Sequence, residues 1–178
     1  MEMSEREKYE KAIREAGFEP FRTLSESWVV YALKDGSYVK IRANVIKISR
    51  RLDNEEKMSF NLNANMTIGV ISPGSLKGTP TLRPITPQEL QAAVVDNDIE
   101  FSVVEEEWSK FELHDGTVIS VKPVLISASR TGIYDPGGEP IYNVTHHLLV
   151  KASLPEELRK KGVVLRQFSG ASQPTFIA

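Results

Sequence analysis

The sequence predicts an α+β, β-dominated protein built by internal duplication, each copy being a helix followed by three strongly curved antiparallel strands. Three observations carry that reading: a repeat, an Asp-Gly hairpin present in both copies, and a long alternating strand. The segment from Trp28 to Ser37 aligns without a gap on the segment from Trp108 to Thr117, an offset of 80 residues. Phe21/Phe101, Trp28/Trp108, Leu33/Leu113, Asp35/Asp115, Gly36/Gly116, Ile46/Ile126 and Arg50/Arg130 are identical at that offset. Further on the match resumes at 82, with Phe60/Tyr142, Asn61/Asn143 and Met66/Leu148. Self-similarity at a fixed period marks a repeated structural unit. The expected division is a first repeat at 1–78, a Pro/Gly-rich linker at 79–86 and a second repeat at 87–178. Units this small bury a modest share of their surface, so the two copies should pack as one body. A pseudo-twofold β-barrel or a pair of small barrels is the expected form.

Each copy opens with a capped helix. Ser4-x-x-Glu7 and Thr86-x-x-Glu89 are capping boxes, in which the first side chain and the carboxylate three residues on satisfy exposed amides reciprocally. Gly17 suits the position just past the first helix, and Pro87 the first position of the second. Tyr9, Ala12, Ile13 and Ala16 make the apolar stripe, with Glu7→Lys11 and Glu10→Arg14 pairs on the exposed side.

The hairpin register follows from its turn. A two-residue turn on Asp35-Gly36 would mix apolar and charged residues on one face. A three-residue loop, Lys34-Asp35-Gly36 with a left-handed Gly, places Val29, Tyr31, Leu33, Val39, Ile41, Ala43 and Val45 together. The same rule collects Phe111, Leu113, Ile119, Val121 and Leu125. The apolar phase then switches to Ile46 and Ile48, and to Ile126 and Ala128, which predicts a bulge or sharp bend near 43–46 and 123–126. The third strand alternates Met58, Phe60, Leu62, Ala64, Met66, Ile68 and Val70 with small polar residues, and 58–71 holds no charge. As a free edge it would invite another chain, so it is expected to be central, covered, or an interface. The second copy turns Tyr142, Val144, His146, Leu148, Val150 and Ala152 inward. Ser153-Leu-Pro-Glu156 should then open a short helix, and 163–168 a last strand.

Composition excludes several classes. With no cysteine among 178 residues there is no disulfide framework, thiolate metal site or cysteine nucleophile. The charged N-terminus and the short apolar runs lack a secretory signal and a membrane span, so a cytoplasmic protein is expected. A net charge of −2 argues against a dedicated nucleic-acid binder. The average conceals segregation, however. Residues 37–51 carry Lys40, Arg42, Lys47, Arg50 and Arg51 without an acid, and 96–107 carry six acids without a base.

The hairpin register sets Trp28 opposite Arg42 and Trp108 opposite Lys122. Such cation–π pairs cover sheet surface, or form a platform for a nucleotide base or an acidic partner. The candidate binding residues are therefore Trp28, Lys40, Arg42, Lys47, Arg50, Trp108, Lys122 and Arg130. His146 and His147 are neighbours on a strand and face opposite ways, so they cannot share a site. A metal site would need Asp135 and Glu139 to join one of them; no metal, cofactor or catalytic residue is expected. Asp35 and Asp115 are accounted for by their turns. On Leu33-Lys34-Asp35-Gly36 and Asn61, the order of elements resembles in shape the Sm-like RNA-binding barrel. That family's second, Arg-Gly-containing motif is absent from both copies. The expected function is a non-enzymatic binding or assembly module acting through protein–protein contact or self-association. An RNA- or DNA-contacting module on the basic–aromatic strands is the alternative, and a small metal-dependent hydrolase centred on His146 comes last.

Overall fold

In a computed structural model, which describes residues 1–55, 57–162, 164–165 and 173–178, the chain is β-dominated. Helix α1 (Glu5–Glu15) leads to β1 (Phe21–Ser25), β2 (Val29–Leu33), β3 (Tyr38–Leu52) and β4 (Lys57–Ile71). After the linker come α2 (Pro87–Ala92), β5 (Val94–Asp96), β6 (Phe101–Glu105), β7 (Ser109–Leu113), β8 (Val118–Tyr134) and β9 (Pro140–Ser153). Helix α3 (Glu156–Lys160), β10 (Val164–Leu165) and β11 (Gln173–Ile177) complete the described elements. The expected last strand at 163–168 lies mostly outside the described residues; Val164 and Leu165 pair in parallel with Lys57 and Met58.

The strands form two sheets, ordered β1-β7-β8-β9-β11, with β5 also on β8, and β10-β4-β3-β2-β6. Among the described residues neither sheet closes on itself, so the expected closed barrels are replaced by two open sheets. Strands β1 and β6 add to the three strands expected in each copy. Strand β1 pairs with β7, setting Phe21 against Leu113 and Thr23 against Phe111. Strand β6 pairs with β2, setting Phe101 against Leu33 and Val103 against Tyr31. These registers are equivalent under the 80-residue offset. Each copy lends one short strand to the other's hairpin.

The long hairpins are exchanged as well. Both Asp-Gly turns take the three-residue form: Leu33 and Ser37 bond across the first, and Gly36 has φ +94°. Val29 then pairs with Ile41 and Ser109 with Val121, as the register requires. Beyond the hairpin the register of β3 shifts between Val45 and Lys47, and that of β8 between Leu125 and Ser127. These are the expected bulges. Their effect differs from the expectation in one respect: Ile46 and Ile126 are the extra residues and point outward, while Ile48 and Ala128 enter the core.

The bend carries each arm into the neighbouring core. One cluster joins Val29, Tyr31, Leu33, Val39 and Ile41 to Leu125, Ala128, Tyr142 and Val144. The other joins Phe111, Leu113, Ile119 and Val121 to Ala43, Ile48, Met58 and Phe60. Both cores therefore contain residues of both copies. Burying a side chain of this size contributes about 1.5–3 kcal/mol, so neither core is complete without the other copy's arm.

The helices differ from one another. Ser4 and Glu7 form the full capping box, and Gly17 follows the end of α1 at φ +88°. The expected Glu7–Lys11 pair does not form, because Glu7 is held by the cap and Lys11 meets Glu15 instead. No residue of α1 is buried. In α2, by contrast, Leu90 is buried, although the helix has only six residues. Thr86 caps it, but the Glu89 carboxylate turns to Arg83 at 2.8 Å. Ser153 ends β9 and does not cap α3, whose N-cap is Pro155. No helix among the described residues is long and apolar enough to cross a membrane.

Candidate binding face on the outer sheet surface

Alternation along β2 and β3 sends Val29, Tyr31, Val39 and Ile41 inward and leaves Trp28, Lys40 and Arg42 outside. The Lys40 ammonium lies 4.6 Å from the Trp28 ring centroid and the Arg42 guanidinium 5.0 Å from it. On the other sheet Lys122 lies 4.9 Å and Lys151 4.1 Å from the Trp108 ring. Lys151, on β9, was missed by the sequence reading, which treated only the neighbouring strand of the hairpin.

The two platforms carry different charge. Lys122 is tied to Glu106 at 2.5 Å, so the Trp108 face is partly neutralised. Among the described residues, Lys40 and Arg42 form no ion pair, and the buried Arg42 Nε has no hydrogen-bond partner. Glu26, the equivalent of Glu106, is not paired to them. Two cations on one aromatic face without a paired acid suit a carboxylate or phosphate group.

Arg50 and Arg130 belong elsewhere. The bulges put them in phase with Ile48 and Ala128, so they turn toward the other copy. Arg50 donates through Nε to Glu19 at 3.0 Å and through Nη1 to Asp115. Arg130 donates through Nη1 to Asp35 at 3.2 Å and approaches Asp96 at 3.9 Å. The turn therefore accounts for only one oxygen of each aspartate: Oδ1 of Asp35 and of Asp115 accepts the amide of Ser37 and of Thr117, and Oδ2 takes the arginine. Burial alone would raise the Asp115 pKa; the Thr117 amide and the Arg50 guanidinium outweigh it and hold the carboxyl below its ordinary value.

Tyr142 completes the Asp35 site, donating to Oδ2 at 2.7 Å and sharing a 2.6 Å hydrogen bond with Ser37 Oγ. Its counterpart in the first copy is Phe60, which offers no hydroxyl to Thr117, the counterpart of Ser37.

Lys47 stands apart, with its ammonium 5.1 Å from the Phe18 ring. His146 is buried, and its Nε2 lies 3.4 Å from Thr175 Oγ1. Burial first, and then the neighbouring His147, lower its pKa. Asp135 Oδ1 accepts the amides of Gly137 and Glu139, and Glu139 pairs with Lys77 at 2.9 Å. That loop fastens the linker: Gly78 donates to the Gly138 carbonyl, and a Cβ on Gly78 would fall inside the Tyr134 ring. Among the described residues no three of His, Asp and Glu gather as a metal-binding set. Comparison of the chain with protein-family models, curated proteins and solved structures finds no match in any of the three.

Proposed function

We propose that the protein is a non-enzymatic cytoplasmic binding module, a pseudo-twofold duplication whose Trp28–Lys40–Arg42 face docks an acidic segment of a protein partner. The single observation that carries this reading is the asymmetry between equivalent platforms. Lys122, one of the two cations on Trp108, is tied to Glu106, whereas among the described residues neither Lys40 nor Arg42 on Trp28 forms an ion pair. A platform needed only to cover the sheet has no use for two uncompensated cations.

A protein segment fits better than nucleic acid. Of the eight candidate residues, Lys40, Arg42 and Lys47 form no ion pair among the described residues, but Arg50, Arg130 and Lys122 are engaged within the molecule. A phosphate backbone needs a continuous basic track, and those losses interrupt it. The exposed β6, whose Val103 and Val104 lie on a sheet edge, supports self-association as a second reading.

The test uses Trp108→Phe, which leaves Trp28 as the only indole, with a Glu-rich peptide and a mixed-sequence single-stranded oligonucleotide titrated across a salt series. The peptide should change Trp28 fluorescence saturably at low salt, and Arg42→Gln should weaken it about tenfold, as loss of a charged hydrogen bond implies. Tighter binding of the oligonucleotide, or no peptide response at low salt, contradicts the reading. Light scattering of the free protein tests the second reading, which a strict monomer overturns.

A further inference from the structure

The bulge that redirects β3 creates a second feature with no role in the fold. Ile46 is turned out of the sheet and is 49% exposed, facing the apolar stripe of α1. Between them lies a cavity of about 450 Å³, floored by Phe18, Phe21 and Ile46 and roofed by Tyr9, Ala12 and Ile13. That volume falls in the range of small-molecule sites, roughly 300–1,000 Å³. The protein's own helix forms one wall of it.

The charges at this cavity select a ligand. Glu10 is bonded by Arg6 at 2.8 Å, and that bond chiefly lowers its pKa. Glu19 is bonded by Arg50 at 3.0 Å. Among the described residues, Lys47 has no carboxylate partner and rests only on the Phe18 ring. One unbalanced cation therefore borders an apolar space.

The second copy shows that the fold does not require this arrangement. The amides of Glu19 and Ile99 bond equivalently to Ile48 and Ala128, which aligns the copies there at an offset of 80. At that offset Phe18 is matched by Asp98, and Lys47 by Ser127. The bulged isoleucine is retained as Ile126 and Phe21 as Phe101, but Phe18 and the cation are not.

We propose that this cavity binds an amphipathic carboxylate, its apolar body lying between α1 and Ile46 and its anionic head on Lys47. The site shares no lining residue with the Trp28 face and stands independently of the function proposed above.

The experiment is calorimetric titration of the full chain with dodecanoate below its micelle concentration, with dodecanol and dodecyltrimethylammonium as head-group controls. One dodecanoate should bind per chain. Ala12→Phe, which fills the cavity from its roof, should abolish binding while leaving the thermal unfolding midpoint in place. Lys47→Gln should weaken dodecanoate on the order of tenfold, as loss of a charge-assisted contact implies, and leave dodecanol unchanged. The proposal is overturned if dodecanoate does not saturate, if the cationic analogue binds as tightly, or if neither substitution changes the affinity of a protein that remains folded.

Discussion

The two copies use the same backbone devices and different polar chemistry. Each lends a strand, bends at a bulge and sends an arginine to the other's Asp-Gly turn. Around Asp35 the device is complete: its side chain is 5% exposed and is held by Arg130, Tyr142 and the Ser37 amide. Around Asp115 it is looser: the side chain is 32% exposed, and Phe60 supplies no hydroxyl. Duplication thus preserves the interlock, while single substitutions decide how much each half of it contributes.

Breaking the arginine links should separate the two sites most widely. Arg130→Met strands a buried carboxylate and should lower stability by about 3 kcal/mol, near the bottom of the range for a broken buried pair. Arg50→Met should cost only about 1 kcal/mol, since Asp115 keeps partial access to water. Urea unfolding of both variants measures the gap, and equal losses would show that the difference in burial has no energetic meaning.

The hydroxyl can be moved in either direction. Tyr142→Phe should cost about 1–2 kcal/mol by leaving Ser37 and Asp35 short of a partner. Phe60→Tyr should add about 1 kcal/mol by giving Thr117 and Asp115 the phenolic hydroxyl that Ser37 and Asp35 already have. A Phe60→Tyr protein with a lower urea midpoint would mean that the second turn has no space for the hydroxyl.

The smallest expected effect is in pH dependence. His146 occupies the place held by Ala64 in the first copy, and its folded pKa lies below the ordinary 6.5. Below that value the unfolded chain takes up a proton that buried His146 resists. Its contribution is therefore complete above pH 6.5 and declines as the pH falls toward the lower folded value. Asp115 acts further down: its stabilisation is present above the ordinary 3.8 and is lost as the pH falls through its lower folded value. His146→Gln should flatten the stability profile between about pH 7 and pH 5 and leave the acid limb unchanged.

Much of this could be read from the chain itself. The hairpin register, both bulges, the alternating third strand and the Trp–cation pairs follow from periodicity and turn chemistry, which are local. The phase switch also held an unused signal: once Ile48 points inward, Arg50 two residues later shares its face, and so does Arg130 beyond Ala128. Pairing between copies was not legible. Strands β1 and β6 are five residues long, hold no buried residue and lack alternation, and only the matched Phe21 and Phe101 hinted at a common role. Nor could spacing show that Glu106 would neutralise Lys122 while Glu26 left Lys40 and Arg42 free, because that depends on how two loops leave two different sheets.

If each core is built from both copies, the two cannot unfold separately. Trp28→Phe and Trp108→Phe leave one indole reporter on each sheet, and urea unfolding followed by fluorescence in the two variants tests the interlock directly. The exchange of strands and arms predicts that each single-indole curve coincides with the loss of circular dichroism in the same variant, as one cooperative transition. An indole that reports its own sheet melting while the other sheet remains folded would contradict it.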